Sequence, residues 1–173
     1  MVTELQNKKI LVIVESPNKC AHVQEYLKKA GYNVKVMASV GHIMELSNGG
    51  NYYNTGIDPT KDFKMDIKVS SEKRDVVNKL KAQVAWADLV YLMSDGDREG
   101  EVISWSLAKF LGINKTKYRR AITHEITPKA VVKAIENPTK LDDNLVDAGL
   151  ARLALDKIVG FRLSPIAKTY VGA

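Results

Sequence analysis

Asp95, Asp97 and Glu99 put three carboxylates within five residues of the stretch DGDREGE, Asp95 to Glu101. Carboxylates crowded in this way repel one another and hold protons more tightly unless a cation neutralises them. The spacing points to a bound divalent metal, and an all-oxygen donor set with no neighbouring Cys or His favours magnesium or manganese over zinc. A second explanation needs no metal. Acidic side chains favour the first turn of a helix, where each stabilises by about 0.3–1 kcal/mol. That would account for Asp97, Glu99 and Glu101 but not for Asp95. A fourth carboxylate, Glu15, also follows an apolar run, with Lys19 four residues on, one helical turn away and able to meet a phosphate. The plainer alternative for this pair is a capping Glu15 and a solvated Lys19.

The flanking residues define the elements that must hold these groups. Leu89 to Met93 reads as a buried strand, and Ile103, Leu107, Phe110 and Leu111 form the apolar stripe of the helix that follows. Lys9 to Val14 is a second buried strand, leading into a helix from about Asn18 to Ala30 that Gly31 ends. Tyr32 to Val40 is expected as a strand with Val34, Val36 and Ala38 on one face, and Gly41 and His42 open a loop. Met44 to Asp62, with Gly49, Gly50, Asn51, Asn54, Gly56 and Pro59, lacks periodicity and is expected as a long loop. Strand character resumes over Phe63 to Val69, and Ser71 and Glu72 open a helix with Val76, Val77, Leu80 and Val84 on its apolar face. Arg119 to Thr123 reads as a short strand, and Thr127-Pro128 and Asn137-Pro138 bracket another helix. A final helix is expected from about Asp143 to Val159, ending at Gly160 and burying Val146, Leu150, Leu153 and Ile158. This alternation predicts an α/β fold with a mostly parallel sheet, so that Glu15 and Asp95 emerge at the same edge.

Composition sets outer limits. The 173 residues are 45% hydrophobic, enough for a sizeable core. The net charge of +6 and the pI near 9.3 lean mildly toward a polyanionic partner, with no dense basic block. A single cysteine, Cys20, rules out an internal disulfide or a zinc knuckle and reads as a small buried hydrophobe. The start is polar and no apolar run approaches the roughly 20 residues of a membrane span, so a cytoplasmic location without membrane insertion is expected.

Five motifs occur in order: VESPNK (Val14 to Lys19), SVGHI (Ser39 to Ile43), DGDREGE, HEIT (His124 to Thr127) and DKIVGFRLSP (Asp156 to Pro165). Over nearly the whole length from Lys9 to Pro165 the chain resembles type IA DNA topoisomerases. The resemblance implies a Toprim domain over 1–126, a Rossmann-like doubly wound module, and over 127–173 the start of a helical segment that grips single-stranded DNA. It also implies a reaction: a tyrosine attacks a phosphodiester, holds the 5′ phosphate, lets a strand pass and reseals the break. In that scheme Asp95, Asp97 and Glu99 form the Mg²⁺-binding triad. Glu15 helps hold metal or moves a proton to the leaving sugar oxygen, and Lys19 stabilises charge on the phosphate. His42 matches a position near DNA, and Arg152, Asp156, Lys157 and Phe161 match the DNA-facing helix, with Asp156 orienting Arg152. Arg98 and Glu101 are expected in local ion pairing and capping, and His22 and His124 carry no functional expectation.

Departures from the family shape the expectation further. The nucleophile lies in a segment resembling SYPRT, and none of Tyr26, Tyr32, Tyr52, Tyr53, Tyr91, Tyr118 and Tyr170 has that context. The chain is therefore expected to be an amino-terminal fragment, inactive in relaxation alone, whose partners are DNA and the remaining domains of the full-length enzyme. Ser106, Gly149, Leu150 and Leu153 replace residues that the family often has as His, Gln or Arg. Two other readings stay open: a free-standing Toprim nuclease, and a non-catalytic nucleic-acid-binding module.

Overall fold

Apolar residues at every position from Ile10 to Val14 leave that strand no solvent face. In the computed structural model, which describes residues 5–47 and 55–171, it lies inside a parallel sheet. In chain order the elements are β1 (Ile10–Val14), α1 (Pro17–Lys29), β2 (Val34–Ala38), β3 (Met44–Leu46), β4 (Ile57–Asp58), β5 (Lys64–Met65), β6 (Ile67–Val69) and α2 (Arg74–Trp86). They continue with β7 (Leu89–Ser94), α3 (Arg98–Phe110), β8 (Tyr118–Ile122), α4 (Pro128–Glu136) and α5 (Asp143–Val171). The main sheet has the order β2-β1-β7-β8, every pair parallel. Because side chains alternate along a strand, Ile10, Val12, Val14, Tyr91 and Met93 face one core with α1 and α4. Leu11, Ile13, Val90 and Leu92 face a second core with α2 and α3. Among the described residues no helix is long and apolar enough to cross a membrane.

Local chemistry sets most helix ends. Ser16 caps α1, its Oγ accepting from the Asn18 amide at 3.3 Å, with Pro17 at the first helical position. Glu15 is thereby relieved of the capping role. Thr127 caps α4 in the same manner, accepting from the Ala130 amide at 3.3 Å.

Three expectations are corrected. The stretch Met44 to Asp62 is not simply a loop, since it contains β3 and β4; its Gly49, Gly50, Asn51 and Asn54 lie outside the described residues. Phe63 to Val69 is not one strand but β5 and β6, interrupted at Asp66, and these pair antiparallel with β4 and β3 in ribbons separate from the main sheet. Strands of two or three residues are too short to show a period, and the partner of β3 lies across a long segment at β6. The final helix runs through Gly160, because a glycine ends a helix when it adopts the left-handed conformation and Gly160 has no positive φ. Within α5, Val146, Leu150 and Ala154 face the body, leaving Leu153 exposed rather than buried. Gly149 permits this contact: a Cβ there would lie 2.4 Å from Val102 Cγ2 and 3.0 Å from the Arg98 carbonyl oxygen.

Candidate functional site

The strand order reverses between β1 and β7: the chain moves outward from β1 to β2 on one side and from β7 to β8 on the other. Such a switch point opens a crevice at the carboxyl ends of the two strands, where Glu15 and Asp95 directly follow β1 and β7. Burial pushes the Glu15 carboxyl above its usual range; Asp95 and Asp97 add to the rise, while Lys19 and the Ser94 hydroxyl oppose it. Glu15, Lys19, Asp95 and Asp97 thus form one electrostatic group.

Asp97, Glu99 and Glu101 of DGDREGE also have structural tasks. Asp97 caps α3, its Oδ1 accepting from the Gly100 amide at 2.7 Å. Gly100 is required by the turn, since a Cβ would fall 2.4 Å from the Asp95 carbonyl oxygen and 2.7 Å from Ser94 Oγ. Glu101 is buried against Arg120, with Nε to Oε1 at 2.6 Å. The Arg120 guanidinium also donates to the carbonyls of Leu92, Ser94, Ala121 and Asp95, at 2.7 to 3.3 Å. Glu101 is ion-paired, but not locally as expected: its partner lies nineteen residues away on β8. The other Glu101 oxygen accepts from the Asp142 amide at 3.1 Å, and Asp142 Oδ1 caps the start of α5.

Glu99 turns toward His42, with Oε1 3.6 Å from Nε2. The histidine loop is tied to the first motif: the Gly41 amide donates to the Glu15 carbonyl at 3.0 Å, and Lys73 Nζ donates to the Val40 carbonyl at 2.7 Å. Val40 and Gly41 both take positive φ, 60° and 77°. For a β-branched valine this is a strained conformation of the kind that clusters at binding sites.

His42, Asp97, Glu99, Arg152 and Asp156 line one cleft of about 420 Å³ between α3 and α5. Arg152 Nε lies 3.7 Å from Asp156 Oδ2. Lys157 and Phe161 are not in the lining; they form their own pair farther along α5, the ammonium 4.8 Å from the ring centroid. Among the described residues no three His, Cys, Asp or Glu side chains converge closely enough to hold a metal as they lie. Two of the acids are committed elsewhere, Asp97 to the cap and Glu99 to His42. The all-oxygen chemistry and mutual repulsion of Glu15, Asp95 and Asp97 fit a hard divalent cation.

Residues 10–126 match the Toprim domain family. The chain belongs to that family. Its Toprim region is accompanied by a wider likeness to DNA topoisomerase 1 of Rickettsia felis and of Rickettsia typhi, each 44% identical over 162 residues. These alignments cover 90% of this chain and 20% of each relative, so the chain spans about a fifth of the curated relatives' length. A solved structure of full-length topoisomerase I from Thermotoga maritima superposes with a TM-score of 0.77 at 37% identity, over 92% of this chain and 26% of that one.

Within this Toprim chain three of the departures noted above, Ser106, Gly149 and Leu150, have structural roles. Ser106 is fully buried, its Oγ donating to the Ile103 carbonyl at 2.7 Å, and Leu150 packs with Met44, Val102 and Val146. Cys20 is only partly buried against the first core, and that burial raises its thiol pKa. Sequence reasoning missed Arg120, Ser94 and Gly100. The available signal was an arginine in the middle of a short strand of a buried sheet, a placement that requires a partner.

Proposed function

We propose that this Toprim chain is the amino-terminal portion of a type IA DNA topoisomerase, which cleaves one DNA strand, passes another through the gap and reseals it through a 5′-phosphotyrosine. The observation that carries the reading is the placement of Glu15 and Asp95 at the switch point of the sheet, with Glu15 electrostatically coupled to Lys19, Asp95 and Asp97. Glu15, Asp95, Asp97 and Glu99 would hold Mg²⁺, which supplies neutralisation of the phosphate charge. Glu15, its carboxyl raised by burial, is suited to passing a proton to the leaving sugar oxygen. Lys19 stabilises negative charge on the phosphate. His42, Arg152 and Lys157 contact the DNA strand, mainly single-stranded, while Asp156 orients Arg152 and Phe161 stacks on a base. The nucleophilic tyrosine comes from the remaining domains of the longer enzyme. In this scheme 1–126 is the Toprim domain, 127–173 begins the DNA-gripping domain, and the enzyme works in the cytoplasm.

Calorimetry and plasmid relaxation test the proposal. Mg²⁺ binds saturably, and Asp95→Ala or Asp97→Ala weakens it by roughly tenfold or more, because affinity follows the charge of the ligand set. The chain alone leaves supercoiled plasmid unrelaxed. Absence of both binding heat and thermal shift removes the metal site, and relaxation by the chain alone removes the external tyrosine. Metal-dependent cleavage without a protein-linked product, lost in Asp95→Ala, would instead identify a nuclease.

A further inference from the structure

The outer edge of β8 borders a second cleft, of about 790 Å³, apart from the acidic site. Register pairs Tyr118 with Val90 and Ile122 with Ser94. Tyr118 therefore stands about 13 Å along the strand from the end where Asp95 emerges. The segment after α4 walls the cleft and is fixed to the sheet, because Thr139 and Arg120 exchange both backbone hydrogen bonds, at 2.8 and 3.1 Å.

The lining combines Lys115, Arg119 and Lys140 with a single carboxylate, Asp143. Among the described residues Lys115 and Lys140 make no ion pair or hydrogen bond, so Asp143 does not neutralise them at contact distance. Arg119 is already held in place: Nη1 donates to the carbonyls of Thr116 at 2.9 Å and Tyr118 at 2.8 Å, which leaves Nε and Nη2 for a ligand. A guanidinium ordered in advance and two uncommitted ammonium groups suit phosphate oxygens. Leu141 and Tyr118, the latter half-buried against the second core, add apolar lining beside them, and the volume falls in the range of small-ligand sites.

We infer that this cleft binds a nucleotide unit, its phosphate on Lys115, Arg119 and Lys140 and its base against Tyr118 and Leu141. A free nucleotide and one residue of a nucleic-acid strand share that chemistry. The inference does not rest on the proposed topoisomerase role, and its failure would leave the acidic site untouched.

The test titrates the isotopically labelled 173-residue chain with AMP and, separately, with a short oligothymidylate, following backbone amide shifts. Shifts are expected at Lys115, Tyr118, Arg119 and Lys140, and persist in Asp95→Asn. The double substitution Lys115→Gln with Lys140→Gln, at exposed positions, weakens binding by about tenfold at low salt and lowers the salt slope by about 1 for each phosphate contact removed. Arg119→Gln weakens it similarly. Response to AMP identifies a free-nucleotide site and response to the oligonucleotide alone identifies a strand site; either supports the cleft. No shift at these residues with either probe, or unchanged affinity in the folded double variant, overturns it.

Discussion

Arg120 has no solvent access, and its guanidinium joins Glu101 to the carbonyls at the ends of β7 and β8. Removing one member of a buried pair leaves the other charged and without compensation, a loss of about 3–5 kcal/mol, whereas apolar replacement of both is often close to neutral. Arg120→Met is therefore expected to destabilise by about 3–5 kcal/mol in urea unfolding, and Arg120→Met with Glu101→Leu to lose clearly less. Equal losses in the two variants would show that the pair is not coupled. Glu15 makes a pH prediction. Its folded pKa is raised from 4.5, with burial as the leading cause, so over that window the native state holds more protons than the unfolded chain. Stability from this group is greatest below the ordinary carboxylate range and is lost as pH rises through the raised value. Without divalent cations, Glu15→Gln should melt higher than wild type at neutral pH but not in acid; an equal gain at both would refute the assignment. The acidic spacing could be read directly in the sequence, but the division of labour among the acids could not. It depends on Arg120, nineteen residues from Glu101, and on strand register.

At the scale of elements, Tyr32 links the loop after α1 to α4, its hydroxyl donating to Glu136 Oε1 at 3.1 Å. Burial and then Glu136 push the Tyr32 pKa from 10.0 to about 12. Between those values the unfolded chain releases the proton that the native state keeps, so this contribution is full below pH 10.0 and falls as pH rises toward 12. Tyr32→Phe should cost about 1 kcal/mol below that window and flatten the alkaline slope of stability; an unchanged slope would assign it to other groups. Helices capped by Ser16 and Thr127, and strands that are apolar throughout, could be read because their signals lie within a few residues. The ribbon of β3 and β6 could not, since Met44 meets Val69 across a long segment. Nor could the course of α5 past Gly160, because a glycine permits a stop without requiring one.

The whole molecule places two cores on opposite faces of one sheet and lays α5 across α3. Beyond that contact the helix projects apolar side chains to solvent, among them Leu155 at 59% and Leu163 at 55% exposure. Opening free energy follows buried contact. Native-state hydrogen exchange should therefore find the amides around Val146 to Leu150 protected near the global level, and those around Phe161 to Leu163 exchanging orders of magnitude faster. Uniform protection along α5 would indicate an additional contact surface over its distal half.

The sequence by itself determined the helices and the strands of the main sheet, the α/β class and the crowding of acids after β7, because capping, apolar periodicity and charge spacing act over a few residues. Tertiary structure alone decided that Glu99 turns to His42 and that Arg120 pairs with Glu101 and anchors the acidic turn. These relations join residues far apart in the chain. Sheet order and strand register bring the strand ends and Arg120 to the acidic turn, and neither is written in a local pattern.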